Sequence, residues 1–107
     1  MANLVAIAGY ASMDPQRLTV GTTAVAFPTP NQSRVKNPEK IQVQAASTNT
    51  VPILVGLSDV LADYSNGGIE LLPGASTTLS AAKDELLFAI ASAAAQKLLV
   101  TYFGDPS

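Results

Sequence analysis

A chain of 107 residues and 11.0 kDa has room for one folded domain and one core. Charged residues make up 13% of it and apolar residues 48%, so charge is about half the usual share while apolar content is ordinary. Cysteine and histidine are both absent, which excludes a disulfide framework, a thiol nucleophile, a zinc site of the usual ligands and an imidazole base near neutral pH.

Residues 1–13 carry no charge and offer Leu4, Val5, Ile7, Tyr10 and Met13 as their sizeable side chains. Two readings stand: a frayed or locally docked terminus, or an extended arm over residues 1–16 that lies along a neighbouring subunit or adds a strand to it. In the second reading Leu4, Val5, Ile7 and Tyr10 are interface residues. The opening is too short to span a membrane and lacks the positive flank of a signal peptide.

From Arg17 the pattern is β. RLTV and TTAVAFP are rich in Thr and Val, are separated by Gly21 and end at Pro28, as strands bounded by turn residues do. PTPNQSRVKNPEK then gathers three prolines, two asparagines and four charges, which predicts a solvated loop. Its basic residues Arg34, Lys36 and Lys40, partly offset by Glu39, are candidates for docking on an acidic surface. As a plain solvated loop they need no function.

IQVQA alternates strictly, placing Ile41, Val43 and Ala45 toward a core and Gln42 and Gln44 outward. In VPILVGLS the residues Val51, Ile53, Val55 and Leu57 share a parity, and Pro52 suits a strand start or edge. DVLADYSNGG supplies turn chemistry and then permissive glycines. NGGIELLPGAS is a very short strand between two strong turn signals, with Ile69 and Leu71 on one side of Glu70. So brief an element makes sense inside a sandwich, where the opposing sheet completes its burial.

The stretch STTLSAAKDELLFAIASAAAQKLLVTYF is ambiguous, because alanines favour helix and the flanks favour strand. One reading is a hairpin of two alternating strands around SAAAQ; the competitor is a helix over residues 81–96. Gln96 and Lys97 interrupt the apolar run from Leu86 to Phe103, so it does not read as a membrane span. Residues 17–107 together predict a single antiparallel β-sandwich or small jelly roll.

Low charge admits two explanations, a surface of Ser, Thr, Asn and Gln or a surface partly hidden in an assembly. Residues 1–53 hold four basic side chains against two acids, and the remainder two against six. That split suits orientation against a charged neighbour and is too weak for nucleic acid as the main partner. A standard contact of roughly 800 Å² would cover about a seventh of the roughly 5,600 Å² expected for this mass.

Motifs for chemistry are sparse. Ser80-Ala-Ala-Lys83 matches the S-x-x-K element of serine acyl-transfer enzymes, but the K-T-G partner is missing, and a chance match in an Ala-rich turn accounts for it. Asp59, Asp63, Asn66 and Glu70 offer oxygens to a cation, without EF-hand spacing. A sugar platform would draw on Tyr10, Tyr64, Tyr102 or Phe103, since tryptophan is absent. No catalytic, cofactor-binding or metal-ligating residue is expected.

The order of features carries a resemblance. A Thr-rich start, IQVQAAS followed by NTVPILVGLSDV, then NGGIELLPGAS, DELLFAIAS and a closing LLVTYF resemble small β-sandwich proteins of tailed bacteriophage virions over residues 17–103. The resemblance implies a virion structural role, most often capsid decoration or cementing, less often an accessory module of a tail or fibre that binds a receptor or glycan. It also implies a homotrimer on the major capsid protein, located on the capsid surface after synthesis in the host cytoplasm. It assigns no functional residue. The expectation is a non-enzymatic protein without cofactor, nucleic-acid or membrane partner.

Overall fold

The computed structural model describes residues 12–31, 33–63, 65–80 and 87–106. None of them is helical. They form eight strands: β1 Ser12–Val20, β2 Val25–Ala26, β3 Val35–Ala45, β4 Ile53–Gly56, β5 Ile69–Leu71, β6 Ser76–Ser80, β7 Phe88–Ala91 and β8 Gln96–Pro106. Two four-stranded antiparallel sheets result, ordered β1-β8-β3-β6 and β2-β7-β4-β5. This interleaved order is that of an eight-stranded jelly roll, one of the two architectures the sequence predicts. The molecule is a slab of 38 × 31 × 19 Å, the thin dimension fitting two sheets about 10 Å apart with their connections.

Alternation builds the first sheet. Ile41, Val43 and Ala45 are buried and Gln42 and Gln44 exposed, as the IQVQA pattern predicts. On the central strand β8, Leu98, Val100 and Tyr102 point into the same core, beside Leu18 and Val20 of β1. The second sheet contributes Ile53, Val55, Leu71, Ala89 and Ala91.

The second sheet is buried on both faces. Leu54 and Ile90, which alternation aims outward, pack with Val60 in a small second core, because the β4–β5 connection folds back over them. Two glycines permit that fold-back. A Cβ at Gly56 would lie 3.1 Å from the Val60 Cγ2, and one at Gly68, whose φ is +126°, would lie 3.1 Å from the Val55 carbonyl oxygen. This explains one end of NGGIELLPGAS. At the other end Ala75 N–H donates to the Leu72 carbonyl at 2.8 Å, with Pro73 next and Gly74 at φ 85°, a type II turn. Between the turns Leu71 is buried, while Ile69, on the edge strand, is 41% exposed.

Three sequence expectations are corrected. The proposed final hairpin does not exist: β7 pairs with β2 and β4, β8 with β1 and β3, so Ser92–Ala95 cross between sheets. The strand reading holds for 88–91 and 96–103, while residues 81–86 lie outside the described part. The loop ending at Lys40 stops earlier, since β3 begins at a fully buried Val35. A register shift between Lys36 and Lys40 accommodates Pro38, which has no N–H for a regular ladder. Finally, residues 12–16, assigned to the arm, belong to β1 and pair with β8 from Gly104 to Val100.

The fold-back gives a graded prediction. Gly68→Ala meets both a glycine-only φ and the Val55 oxygen and is expected to cost about 2–3 kcal/mol. Gly67→Ala, at φ +74° with nothing within 4 Å, should cost only about 1 kcal/mol. Thermal melts should therefore place the Gly68 variant clearly below the Gly67 variant; equal melting temperatures would contradict the close approach.

Candidate assembly surface

The outer face of the β1-β8-β3-β6 sheet is built by the residues that alternate with the core. Register places Arg17 and Gln44 beside Leu99, Thr19 beside Lys97, Gln42 beside Thr101 and Thr78, and Lys40 beside Phe103 and Ser80. Lys97 Nζ donates to Thr19 Oγ1 at 3.1 Å, and Lys40 Nζ reaches Ser80 Oγ at 3.4 Å. Leu99 is 37% exposed, whereas Thr101 and Phe103 are 3% and 5% exposed. Arg17, Thr19, Gln44, Ala46, Lys97 and Leu99 rim an open hollow of about 530 Å³. Among the described side chains of this face none is acidic. Chemically it offers hydroxyls, amides, three cations and one partly exposed leucine.

The start of β8 is fastened by two amides. Gln96, 4% exposed, accepts from Thr50 N–H at 2.8 Å and Val51 N–H at 3.3 Å, and donates to Thr50 Oγ1 at 3.2 Å and the Ala94 carbonyl at 2.9 Å. Asn49 imitates a ladder residue: its Nδ2 donates to the Lys97 carbonyl at 2.9 Å and its Oδ1 accepts from Lys97 N–H at 2.8 Å. The hollow is thus lined from a backbone held on both sides.

A buried carboxylate organises the opposite end of the sheet. Asp14 Oδ2 accepts from Gln16 Nε2 at 2.8 Å and from Asn31 N–H at 2.7 Å. Gln16 Nε2 also donates to the Thr29 carbonyl at 2.7 Å, and Tyr102 O–H to the Pro28 carbonyl at 2.6 Å. These bonds pin the β2–β3 connection beneath the core. Burial, and secondarily the Asp14 charge, push the Tyr102 phenol up to about 12.

The sequence candidates do not converge. Leu4, Val5, Ile7 and Tyr10 lie outside the described residues, as do Tyr64, Lys83 and the side chain of Lys36. Arg34 sits at the Asp14 cluster, its Nε 3.9 Å from Asp14 Oδ1 and its side chain 54% exposed, a geometry that contributes little energy. Lys40 lies on the outer face, away from that cluster. Asp63 and Asn66 serve the β4–β5 connection: the Ser65 hydroxyl, and after it the Ser65 N–H that donates to Asp63 Oδ1 at 3.0 Å, hold the Asp63 carboxyl below its usual value. Asn66 Nδ2 donates to the Asp59 carbonyl at 2.7 Å. Among the described residues no three His, Cys, Asp or Glu side chains gather as metal ligands do, and no helix is long and apolar enough to cross a membrane. Arg17, Lys97 and Leu99 were not singled out by sequence; only the pairing of β1 with β8 makes them neighbours.

Neither protein-family models nor curated proteins match this sequence. Among solved structures it is similar to one from Bacillus endospore appendages, which form a family of disulfide-linked pili, at 17% identity and a TM-score of 0.44 over 96% of this chain and 99% of that one. A likeness so distant decides nothing about this chain, whose 107 residues hold no cysteine for such links.

The phenol predicts an alkaline signature. Because the folded pKa lies above the unfolded value near 10, the native state holds the proton more tightly, and the associated stability is complete below pH 10 and lost as pH rises toward 12. The loss is on the order of 2–3 kcal/mol. Urea melts at stepped pH should show this decline in the native protein. Tyr102→Phe should be less stable at pH 7 by about 1 kcal/mol but flatter between pH 10 and 12; parallel profiles would remove Tyr102 as the cause.

Proposed function

We propose that this chain is a non-enzymatic structural protein of a tailed-phage virion that binds the outside of the capsid and stabilises it, with the major capsid protein as partner. Two things support the reading: the resemblance of residues 17–103 to virion sandwich proteins, and the outer face of the β1-β8-β3-β6 sheet. That face is the observation that carries it. Around Leu99 it is exposed and furnished with hydroxyls, amides, cations and a partly exposed leucine, as a surface that alternates between water and a protein partner requires.

Stabilisation would follow from mass action. A protein that binds the assembled shell but not its dissociated subunits shifts the equilibrium toward the shell in proportion to the logarithm of its free concentration over Kd. The receptor- or glycan-binding alternative has less support, since Phe27, Tyr102 and Phe103 are buried and Phe88 half-buried, leaving no exposed aromatic platform among the described residues.

The test is reconstitution. Heads lacking the protein should bind the purified chain in hundreds of copies and disrupt at a higher temperature once it is added. Leu99→Asp, at an exposed position, should retain the native fold by circular dichroism and weaken head binding by more than about tenfold, the equivalent of ~1.4 kcal/mol. Absence from heads, with a few copies on the tail, would overturn the reading.

A further inference from the structure

The two broad sides of the slab differ in charge. One is the outer face just described, with Arg17 and Lys97 at the hollow beside Leu99 and Lys40 farther along the sheet beside Phe103. On the other side the β4–β5 connection covers its sheet and carries Asp59, Asp63 and, on β5, Glu70, all exposed. The same connection leaves Leu57 50% and Leu61 43% exposed, although it has already committed Val60 to the second core. One side thus offers a hollow with two cations and a partly exposed leucine, and the other offers exposed acids beside two exposed leucines.

We infer that these two surfaces bind each other between copies: the β4–β5 connection of one chain seats in the hollow at Leu99 of the next. A second copy is the occupant because this chain itself supplies both the complementary charge and the exposed leucines.

The contact is heterologous. Pairing two hollows would set Arg17 and Lys97 against their own copies, and pairing two connections would oppose Asp59, Asp63 and Glu70, so either symmetric dimer brings like charges together. A heterologous contact closes into a ring, a trimer among the possibilities, or continues as a stack. The inference uses the same face around Leu99 as the capsid reading, so the two contacts compete for one surface; sedimentation of the chain without heads reads self-association alone, and its failure is distinct from a failure to bind heads.

Sedimentation of the full chain over a range of concentrations, at low and high salt, tests it. The native protein should associate beyond a dimer at low salt and dissociate as salt screens the charges. Arg17→Glu with Lys97→Glu should weaken association by more than about tenfold, and so should Asp59→Lys with Asp63→Lys, although the two pairs lie on opposite sides. An equimolar mixture of the two double variants should associate again, because each supplies the sign the other lacks; this recovery shows at once that both are folded. A native protein that stays monomeric at low salt would overturn the inference. So would a connection variant that associates like the native chain, since a contact made only by the hollow would leave it unaffected.

Discussion

The jelly roll depends on one passage of chain, the four residues that carry it from Ala91 in one sheet to Gln96 in the other. Such a crossing removes backbone groups from both ladders, and each must find a partner or cost free energy. Here Ala91 N–H donates to the Gly21 carbonyl at 2.8 Å, tying the departure to the β1–β2 corner. Ala95 takes φ 62°, a conformation that costs an L-residue about 1–2 kcal/mol. The Gln96 amide offsets that strain with four hydrogen bonds, two to backbone N–H groups of residues 50 and 51. A buried amide satisfied at both ends specifies geometry in a way an apolar residue of similar size cannot. It also sets the parity of β8, and a slip of one residue would turn Leu98, Val100 and Tyr102 out of the core.

From that parity follows the asymmetry of the molecule. The sheet containing β8 keeps one face for the core and leaves the other open around Lys97 and Leu99, while the other sheet has its outer face covered by the β4–β5 connection. The difference traces to β4, where Ile53, Leu54 and Val55 are all buried, a continuous apolar run that needs cover on both sides. Val60 supplies the cover, and Gly56 and Gly68 supply the space. The acids of the connection are thereby carried to one side of the slab, and the cations of β1, β3 and β8 remain on the other. Asp59, Asp63 and Glu70 thus lie on one side and Arg17, Lys40 and Lys97 on the other.

How far this was legible in sequence varies by element. IQVQA could be read outright, because strict alternation encodes both strand and face. The short strand at Ile69–Leu71 was legible from its flanking glycines, as was the sandwich class from runs punctuated by turns. The crossing at Ser92–Ala95 was misread as a hairpin, because a four-residue connector looks the same whether it reverses within a sheet or passes between two. What decides is the hydrogen bonding of Gln96 to Thr50, a partner 46 residues away. The roles of Asp14 and Gln16 are likewise not legible in sequence: their partners Asn31 and Thr29 become neighbours only in the folded sheet. The assembly face shares this difficulty, since Arg17, Leu99 and Gln44 come from three strands and share no local motif.

The edges of the sheets argue for a face rather than an edge as the means of association. An open strand edge pairs with almost any other strand, because backbone groups carry no side-chain information. In the second sheet both edge strands are short, two residues in β2 and three in β5. In the first, β1 carries Pro15, whose missing N–H interrupts any added ladder, and only β6, five residues long, lacks such a device. A broad face behaves differently. Its recognition is written in side chains, so charge sign and the position of a few leucines select the partner and set its orientation. In the association inferred above, opposite signs on opposite sides would direct the contact while the unselective edges stay short or interrupted.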